Sequence, residues 1–250
     1  FSAKSYDKES FDLSLKNSGH EITYFEAKLD KQTIYLADGH HVVCSFVNDQ
    51  IDAEILKKLK QLGIKLIALR CAGFNQVDLK TAQDLGIKIV RVPAYSPEAV
   101  AEHAFALILT LSRKTHKAYN RVRENNFSLE GLTGVNIHGK TMGVIGTGAI
   151  GQAFCRIAKG FGCKILAYDI YENEEMKQLG VHYLPLNDVL SQSYIISLHC
   201  PLTPETRHMI NAASIAQMQN GVALINTSRG ALVETKSVIK ALKKGKIGYL

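Results

Sequence analysis

The sequence predicts an α/β protein made of two doubly wound domains, each on a parallel sheet. Three observations carry that reading. Short apolar runs alternate with helix-compatible segments twice over. A proline-bounded stretch, Pro93-Ala-Tyr-Ser-Pro97, separates the two series. The run Thr141-Met-Gly-Val-Ile145 then breaks into Gly146-Thr-Gly-Ala-Ile-Gly151 and a helix start. Strands and helices alternating this regularly argue for parallel strands covered on both faces. With 250 residues, 46% of them apolar, the chain can fill two ordinary cores.

In the first series the pattern predicts a helix over 7–17 and strands over 21–25 and, more weakly marked, 32–37. A strand over 42–47 and a helix over 52–62 with Asp52 as its N-cap follow. Next come a buried strand over 65–69, a helix over 78–85 stopped by Gly86, and a strand over 87–92 ended by Pro93. Pro97 opens a periodic run to about Glu124, read as one long helix with proline at N1, and the domain boundary falls here, giving 1–95 and 96–250. Residues 126–138 are irregular. The second series has strands over 141–145, 164–168, 194–199 and 222–226. Phe1-Ser-Ala opens without an initiator Met and reads like the tail of a strand, and Lys246 to Leu250 reads as mid-strand. Both ends are therefore expected to be cropped.

Composition narrows the class. The longest apolar stretch, 104–111, is too short to span a bilayer, and no charged-then-apolar leader opens the chain, so a soluble, cytoplasmic protein is expected. Five cysteines with no CxxC pair suggest reduced thiols. The net charge of +7 is concentrated in the last fifty residues, where Lys236, Lys240, Lys243 and Lys244 follow helical spacing. A solvated helix face explains this better than a nucleic-acid patch. His40-His41 have no cysteine or acid at ligand spacing, and no metal site is expected.

The glycine motif carries the first chemistry. A strand, a tight turn and a helix start present free backbone N–H groups and the positive end of a helix dipole to a pyrophosphate. Gly146 serves the turn, Gly148 lets the backbone approach the phosphates, and Gly151 allows close helix–strand packing. The next apolar run ends in Asp169, whose carboxylate can bind an adenosine ribose and repel a 2′-phosphate. No Lys or Arg follows until Lys177, so NAD is favoured over NADP.

Further motifs appear in a fixed order: Arg70-Cys-Ala-Gly-Phe-Asn75, Val92-Pro-Ala-Tyr-Ser-Pro-Glu-Ala-Val-Ala-Glu102, the glycine motif with Asp169, Ser197-Leu-His-Cys-Pro201 with Thr206, and Asn226-Thr-Ser-Arg-Gly230. In this order the chain resembles the D-isomer-specific 2-hydroxyacid dehydrogenases, most closely their lactate-forming bacterial members, over essentially its whole length. The resemblance implies a flavodoxin-like substrate domain, then an NAD-binding Rossmann domain, with a cleft between them. It also implies NADH-dependent reduction of a small 2-keto acid, pyruvate, and a homodimer.

Reducing a 2-keto acid needs a cation that holds the carboxylate and polarises the ketone, and an acid that protonates the alkoxide. Arg229, just past a buried strand, suits the first role; the alternative is a surface loop arginine. By resemblance, Ala72 and Gly73 offer backbone N–H groups to the substrate carboxylate, unless they form an ordinary strand-to-helix turn. Tyr95 reaches the substrate, unless it is a packed hinge aromatic. Gly148, Ala149 and Ile150 meet the pyrophosphate, and Asp169 with Ile170 the ribose. Cys200, Pro201, Thr206, Thr227, Ser228 and Arg229 complete the cofactor contacts, with Cys200 as a wall and not a nucleophile. The family's proton donor, a histidine oriented by a glutamate, follows the Arg-Gly motif, and no residue here matches it: no histidine follows His208. It is expected beyond Leu250, and a chain without it should bind cofactor with little turnover. His199, at a strand end, reads as a structural or cofactor-side residue and His103 as a core or interface histidine. Ala101, Ala104, Phe105, Ile108, Leu109 and Leu111 on the 97–124 helix suggest a subunit contact, or else burial within the chain. Other 2-keto acids such as hydroxypyruvate or glyoxylate, and a non-enzymatic NAD-sensing corepressor, are the alternatives.

Overall fold

Two parallel sheets organise the protein in the computed structural model, which describes all residues 1–250: three strands in the unit Phe1–Tyr95 and six in the unit Ser96–Leu250. The first unit runs α1 (Ser5–Leu15), a 3₁₀ turn (Ile34–Ala37), β1 (Val42–Ser45), α2 (Ala53–Gln61), β2 (Leu66–Leu69), α3 (Leu79–Asp84) and β3 (Lys88–Arg91). Its strand order is β1-β2-β3, with Val43, Ile67 and Ile89 in one row. Asp52 starts α2 by accepting from the amides of Glu54 and Ile55, and Ile55, Leu56 and Leu59 on that helix are buried in the core shared with the sheet.

Two expectations fail in this unit. Residues 21–25 form no strand. Only Phe25 and Ala27 find backbone partners, in Ala3 and Ser2, while 21–23 stay exposed, and a strand needs a longer ladder than that. The same two bonds are what Phe1-Ser-Ala contributes in place of a strand end. Residues 34–37 coil into a 3₁₀ turn because Asp30 gathers the chain ahead of them. Its carboxylate accepts from the amides of Gln32 and Thr33, and its carbonyl from Ile34.

The second unit opens with α4 (Pro97–Arg113) and α5 (Thr115–Arg123), so the single helix expected over 97–124 is two. Lys114 between them sits at φ +54°, in the left-handed region. The break comes from a distant part of the chain: Val135 donates to the carbonyl of Ser112, the acceptor that a continuing helix would offer to His116. Then follow β4 (Thr141–Ile145), α6 (Ala149–Gly160), β5 (Lys164–Tyr168), α7 (Glu174–Leu179), β6 (Val181–Tyr183), α8 (Leu186–Gln192), β7 (Ile195–Leu198), α9 (Ala212–Gln217), β8 (Val222–Asn226), a 3₁₀ turn (Gly230–Leu232), α10 (Thr235–Lys243) and β9 (Ile247–Tyr249).

All six strands are parallel, in the order β6-β5-β4-β7-β8-β9. This is the doubly wound order of a dinucleotide-binding sheet. One core joins α4 and α6 to Met142 and Val144; the other joins α8, α9 and α10 to Ile145. Phe105 packs at a tilt on Phe154 and stacks on Phe161, with ring centroids 4.9 and 5.1 Å apart. Ala101, Ala104, Phe105 and Ile108 are thus buried inside the chain, which removes most of the apolar surface that suggested a subunit contact. His103 is exposed and is no core histidine. No helix is long and apolar enough to cross a membrane.

Candidate active site

The motifs meet because of sheet register. Tyr168, Ile145, Leu198 and Asn226 are Cα partners in one row across β5, β4, β7 and β8. The next residue in each strand's path is Asp169, Gly146, His199 or Thr227, so four distant segments leave the sheet side by side at its C-terminal edge. The chain winds away from β4 in opposite directions on its two sides, and such switch points bind ligands in open α/β sheets.

Glycine is required in the turn after β4 for reasons that differ by position. Gly146 has φ +95°, and a Cβ there would lie 2.6 Å from the Cys200 nitrogen. At Gly151 a Cβ would lie 2.0 Å from the carbonyl oxygen of Gly146. At Gly148 it would meet nothing within 4 Å, so the protein itself does not demand glycine there. Gly148 is the N-cap of α6 and offers no side-chain cap; helical bonding begins with Gln152 N donating to Gly148 O at 2.9 Å. The amides of Ala149, Ile150 and Gly151 are left open at the positive end of the helix, an arrangement suited to phosphate oxygens.

Asp169 leans back onto this turn. Its Oδ2 accepts from the Thr147 amide at 2.6 Å and the Thr147 hydroxyl at 3.1 Å, and its Oδ1 from the Tyr171 amide at 3.1 Å. Beside it, Ile170 is 77% exposed. Lys177, the first cation to follow it along the chain, is paired with Glu172 and Glu174 at 2.7 Å each, and Glu172 heads the causes that hold its pKa above the ordinary lysine value. It is a poor partner for a 2′-phosphate.

The ends of β7 and β8 form the other side. Ser228 donates its hydroxyl to Leu198 O at 2.9 Å and its amide to Asn226 Oδ1 at 3.0 Å, and Asn226 in turn donates to the Arg229 carbonyl at 2.9 Å. These bonds fix the turn that carries the exposed Arg229, whose Nη1 reaches Ser228 O at 3.2 Å. The hydroxyl of Thr227 is buried without a hydrogen-bond partner. Thr206 closes its own loop, donating to Pro201 O at 2.7 Å and accepting from Thr203 N at 2.8 Å, so it shapes the wall and offers little free polarity. Burial pushes the Cys200 thiol up to about 11, which keeps it protonated at neutral pH and unsuited to nucleophilic attack. His199 packs on Phe154 at 4.8 Å and is hydrogen-bonded to Ser197 at 2.9 Å, and burial pushes its pKa down to about 4.

In the first unit, Ala72 and Gly73 follow β2, half-buried, and Tyr95 is 60% exposed. Arg91, not singled out in the sequence, braces this loop: its Nη1 donates to the carbonyls of Ala72, Val92 and Pro93, and its guanidinium lies 5.3 Å from the Phe74 ring centre. Thr147 and Tyr183 also escaped notice. The threonine inside the glycine motif was the available signal; the tyrosine gave none. No group of three or more His, Cys, Asp or Glu side chains comes together to hold a metal ion.

An open-ended helix, a clear approach at Gly148, an acidic group at the adjoining strand end and an unpartnered buried hydroxyl at Thr227 all fit a dinucleotide. Fold and site together define a dinucleotide-binding protein with a Rossmann domain. Residues 105–250 match the family model described as D-isomer specific 2-hydroxyacid dehydrogenase, NAD binding domain. D-lactate dehydrogenase of Escherichia coli is 53% identical over 250 residues, covering 100% of this chain and 76% of that protein. A 2-hydroxyacid dehydrogenase homolog of Haemophilus influenzae is 52% identical, with the same coverage. The apo-structure of the Escherichia coli D-lactate dehydrogenase superposes with a TM-score of 0.92 at 53% identity, over 99% of this chain and 78% of that one. D-lactate dehydrogenase from Aquifex aeolicus, complexed with NAD and lactic acid, gives 0.87 at 37% identity, over 99% and 73%. The chain belongs to the D-isomer specific 2-hydroxyacid dehydrogenase family.

Proposed function

We propose that this enzyme reduces pyruvate to D-lactate with NADH. The observation that carries the reading is Arg229 in a braced turn at the same sheet edge as the glycine motif, supported by the 53% identity to a D-lactate dehydrogenase. The bound cofactor supplies the hydride. Arg229 grips the substrate carboxylate and draws electron density from the ketone, the stabilisation needed as negative charge develops on oxygen. Backbone N–H groups of Ala72 and Gly73 hold the carboxylate, and Tyr95 contacts the substrate. The unit 1–95 is the substrate-side domain and 96–250 the NAD-binding domain. Ala149 and Ile150 with Gly146, Gly148 and Gly151 receive the pyrophosphate, Asp169 and Ile170 the adenosine ribose, and Cys200, Pro201, Thr206, Thr227 and Ser228 the rest of the cofactor. The proton comes from the family's histidine–glutamate pair, which no residue among the 250 matches. His199 does not replace it, because a ring neutral down to about pH 4 is a weak acid catalyst at pH 7.

A fermentative role in the cytoplasm follows from this reaction. A homodimer is part of the same reading and draws support from Tyr119, Val122, Phe127 and Leu129, which are 55–80% exposed on and just after α5. Light scattering should return twice the chain mass.

An initial-rate screen of pyruvate, hydroxypyruvate, glyoxylate and branched 2-keto acids, each with NADH and NADPH, tests the assignment. Pyruvate with NADH should give the highest kcat/KM and D-lactate as product. A preference for a branched acid would remove the lactate reading. Arg229→Gln should lower kcat/KM by roughly 10²–10³, the range for loss of one donor to a developing oxyanion. A loss below tenfold would return Arg229 to the surface.

A further inference from the structure

We propose that Tyr183 is a positioning residue for the NAD site: acting through Thr147, it holds the Asp169 carboxylate and the loop behind it in the form that selects NAD. The inference rests on the reading of Asp169 as the ribose-binding group.

Tyr183 ends β6, which pairs only with β5, so it reaches the glycine turn through its side chain alone. Its hydroxyl donates to Thr147 Oγ1 at 2.9 Å and accepts from the Asn173 amide at 3.1 Å. A hydroxyl has one proton, so the direction of the whole chain is determined. Asn173 N–H points to Tyr183, Tyr183 O–H to Thr147, and Thr147 O–H to Asp169 Oδ2. Every donor is aimed toward the carboxylate, and such chains strengthen one another where water is scarce. Thr147 is only 3% exposed. Without the tyrosine proton its oxygen would be free to turn.

The same two side chains hold both ends of one loop. Thr147 fixes it at Asp169, and Tyr183 fixes it at Asn173, whose own side chain caps α7 by accepting from Met176 N at 3.1 Å. Between these ends lie Ile170 and Tyr171, 77% and 80% exposed, in the segment assigned to the adenosine. A carboxylate held by three donors cannot swing aside, and its remaining lone pairs keep one orientation. Hydroxyls of a ribose fit that arrangement, whereas a 2′-phosphate meets a charge that does not retreat. Loosening the network should therefore erode the choice between the two cofactors more than it erodes catalysis.

The chain has no tryptophan, so binding is best read by NADH fluorescence or calorimetry on the purified enzyme. Tyr183→Phe should raise the Kd for NADH about fivefold, equivalent to ~1 kcal/mol, while the Kd for NADPH moves less than twofold. The kinetic change should fall on KM for NADH and not on kcat. Thr147→Val should do the same, and the double variant should be no worse than Thr147→Val alone, because both remove one connected chain. Asp169→Ala serves as the reference and should weaken NADH at least as much. An unchanged Kd ratio in Tyr183→Phe beside a changed one in Asp169→Ala overturns the proposal. So does equal weakening of both cofactors with a lowered Tm, the signature of a merely structural tyrosine. An unchanged ratio in Asp169→Ala overturns the reading of Asp169 itself, and the proposal with it.

Discussion

Two alanine substitutions three residues apart should separate what the fold demands of the glycine turn from what the ligand demands. At Gly151 a new Cβ would lie 2.0 Å from the Gly146 carbonyl oxygen, more than an ångström inside van der Waals contact, and the obstacle is backbone. Helix α6 must move off the turn. Overpacking of this kind costs roughly 1–3 kcal/mol, and more where backbone cannot give way. Because the obstacle is backbone, the upper figure of about 3 kcal/mol applies, and at about 2–4 °C per kcal/mol for a chain of this size Gly151→Ala should lower Tm by roughly 6–12 °C. At Gly148 the Cβ would meet nothing within 4 Å, and φ is −65°, which any residue adopts. Two terms of similar size, each up to about 1 kcal/mol, oppose each other there: alanine is a poorer N-cap than glycine but restricts the unfolded chain. Tm should stay within about 2 °C. The new methyl would nevertheless stand where the pyrophosphate is proposed to approach, and NADH affinity should fall at least about tenfold, or 1.4 kcal/mol. Thermal melts with and without NADH, paired with fluorescence titration, read both quantities. If Gly148→Ala binds NADH as tightly as the parent, or melts as low as Gly151→Ala, position 148 is not the point of ligand approach.

Two further perturbations test the packing around the sites. The folded His199 ring titrates at about 4 instead of 6.5, so between those values the unfolded chain binds a proton that the folded one does not. The stability that His199 contributes is present above pH 6.5 and lost as pH falls toward 4, by about 3 kcal/mol at 1.36 kcal/mol per pH unit. Urea melts of His199→Gln should show a shallower decline over that window, and equal slopes would refute the assignment. In the first unit, Arg70 pairs with Asp7 at 3.4 Å, both side chains 12% exposed, and donates to the carbonyls of Phe1 and Ser2 at 3.1 Å each. Arg70→Ala leaves a nearly buried carboxylate behind and should cost roughly 3 kcal/mol; a loss below about 1 kcal/mol in the same assay would show that the pair is solvated.

What could be read in advance was what neighbouring residues decide. Strands β4, β5 and β8 have the residue ranges expected of them, because each is a largely apolar run stopped by Gly146, Asp169 or the Asn226 turn. Asp52 was legible as a cap because a capping carboxylate reaches only the next two or three amides. The failures share the opposite property. The 97–124 helix breaks because Val135 takes the Ser112 carbonyl, and nothing in the helical stretch itself announces a partner that far along the chain. Residues 21–25 have the alternation of a strand and lack only an adjacent ladder.

The candidate site divides along the same line. Its phosphate side is backbone, and backbone needs are written locally as glycines. Its proposed ribose side rests on Asp169, visible at the end of its strand, and on Tyr183, whose proposed role comes entirely from standing one strand further out with its hydroxyl turned back toward Thr147. In Val181-His-Tyr183 the tyrosine looks like any aromatic residue of a short strand. With Tyr183 in its proposed role, cofactor selection in this chain rests on a residue that touches no cofactor, and its discriminating power on hydrogen bonds that only the folded sheet brings into line.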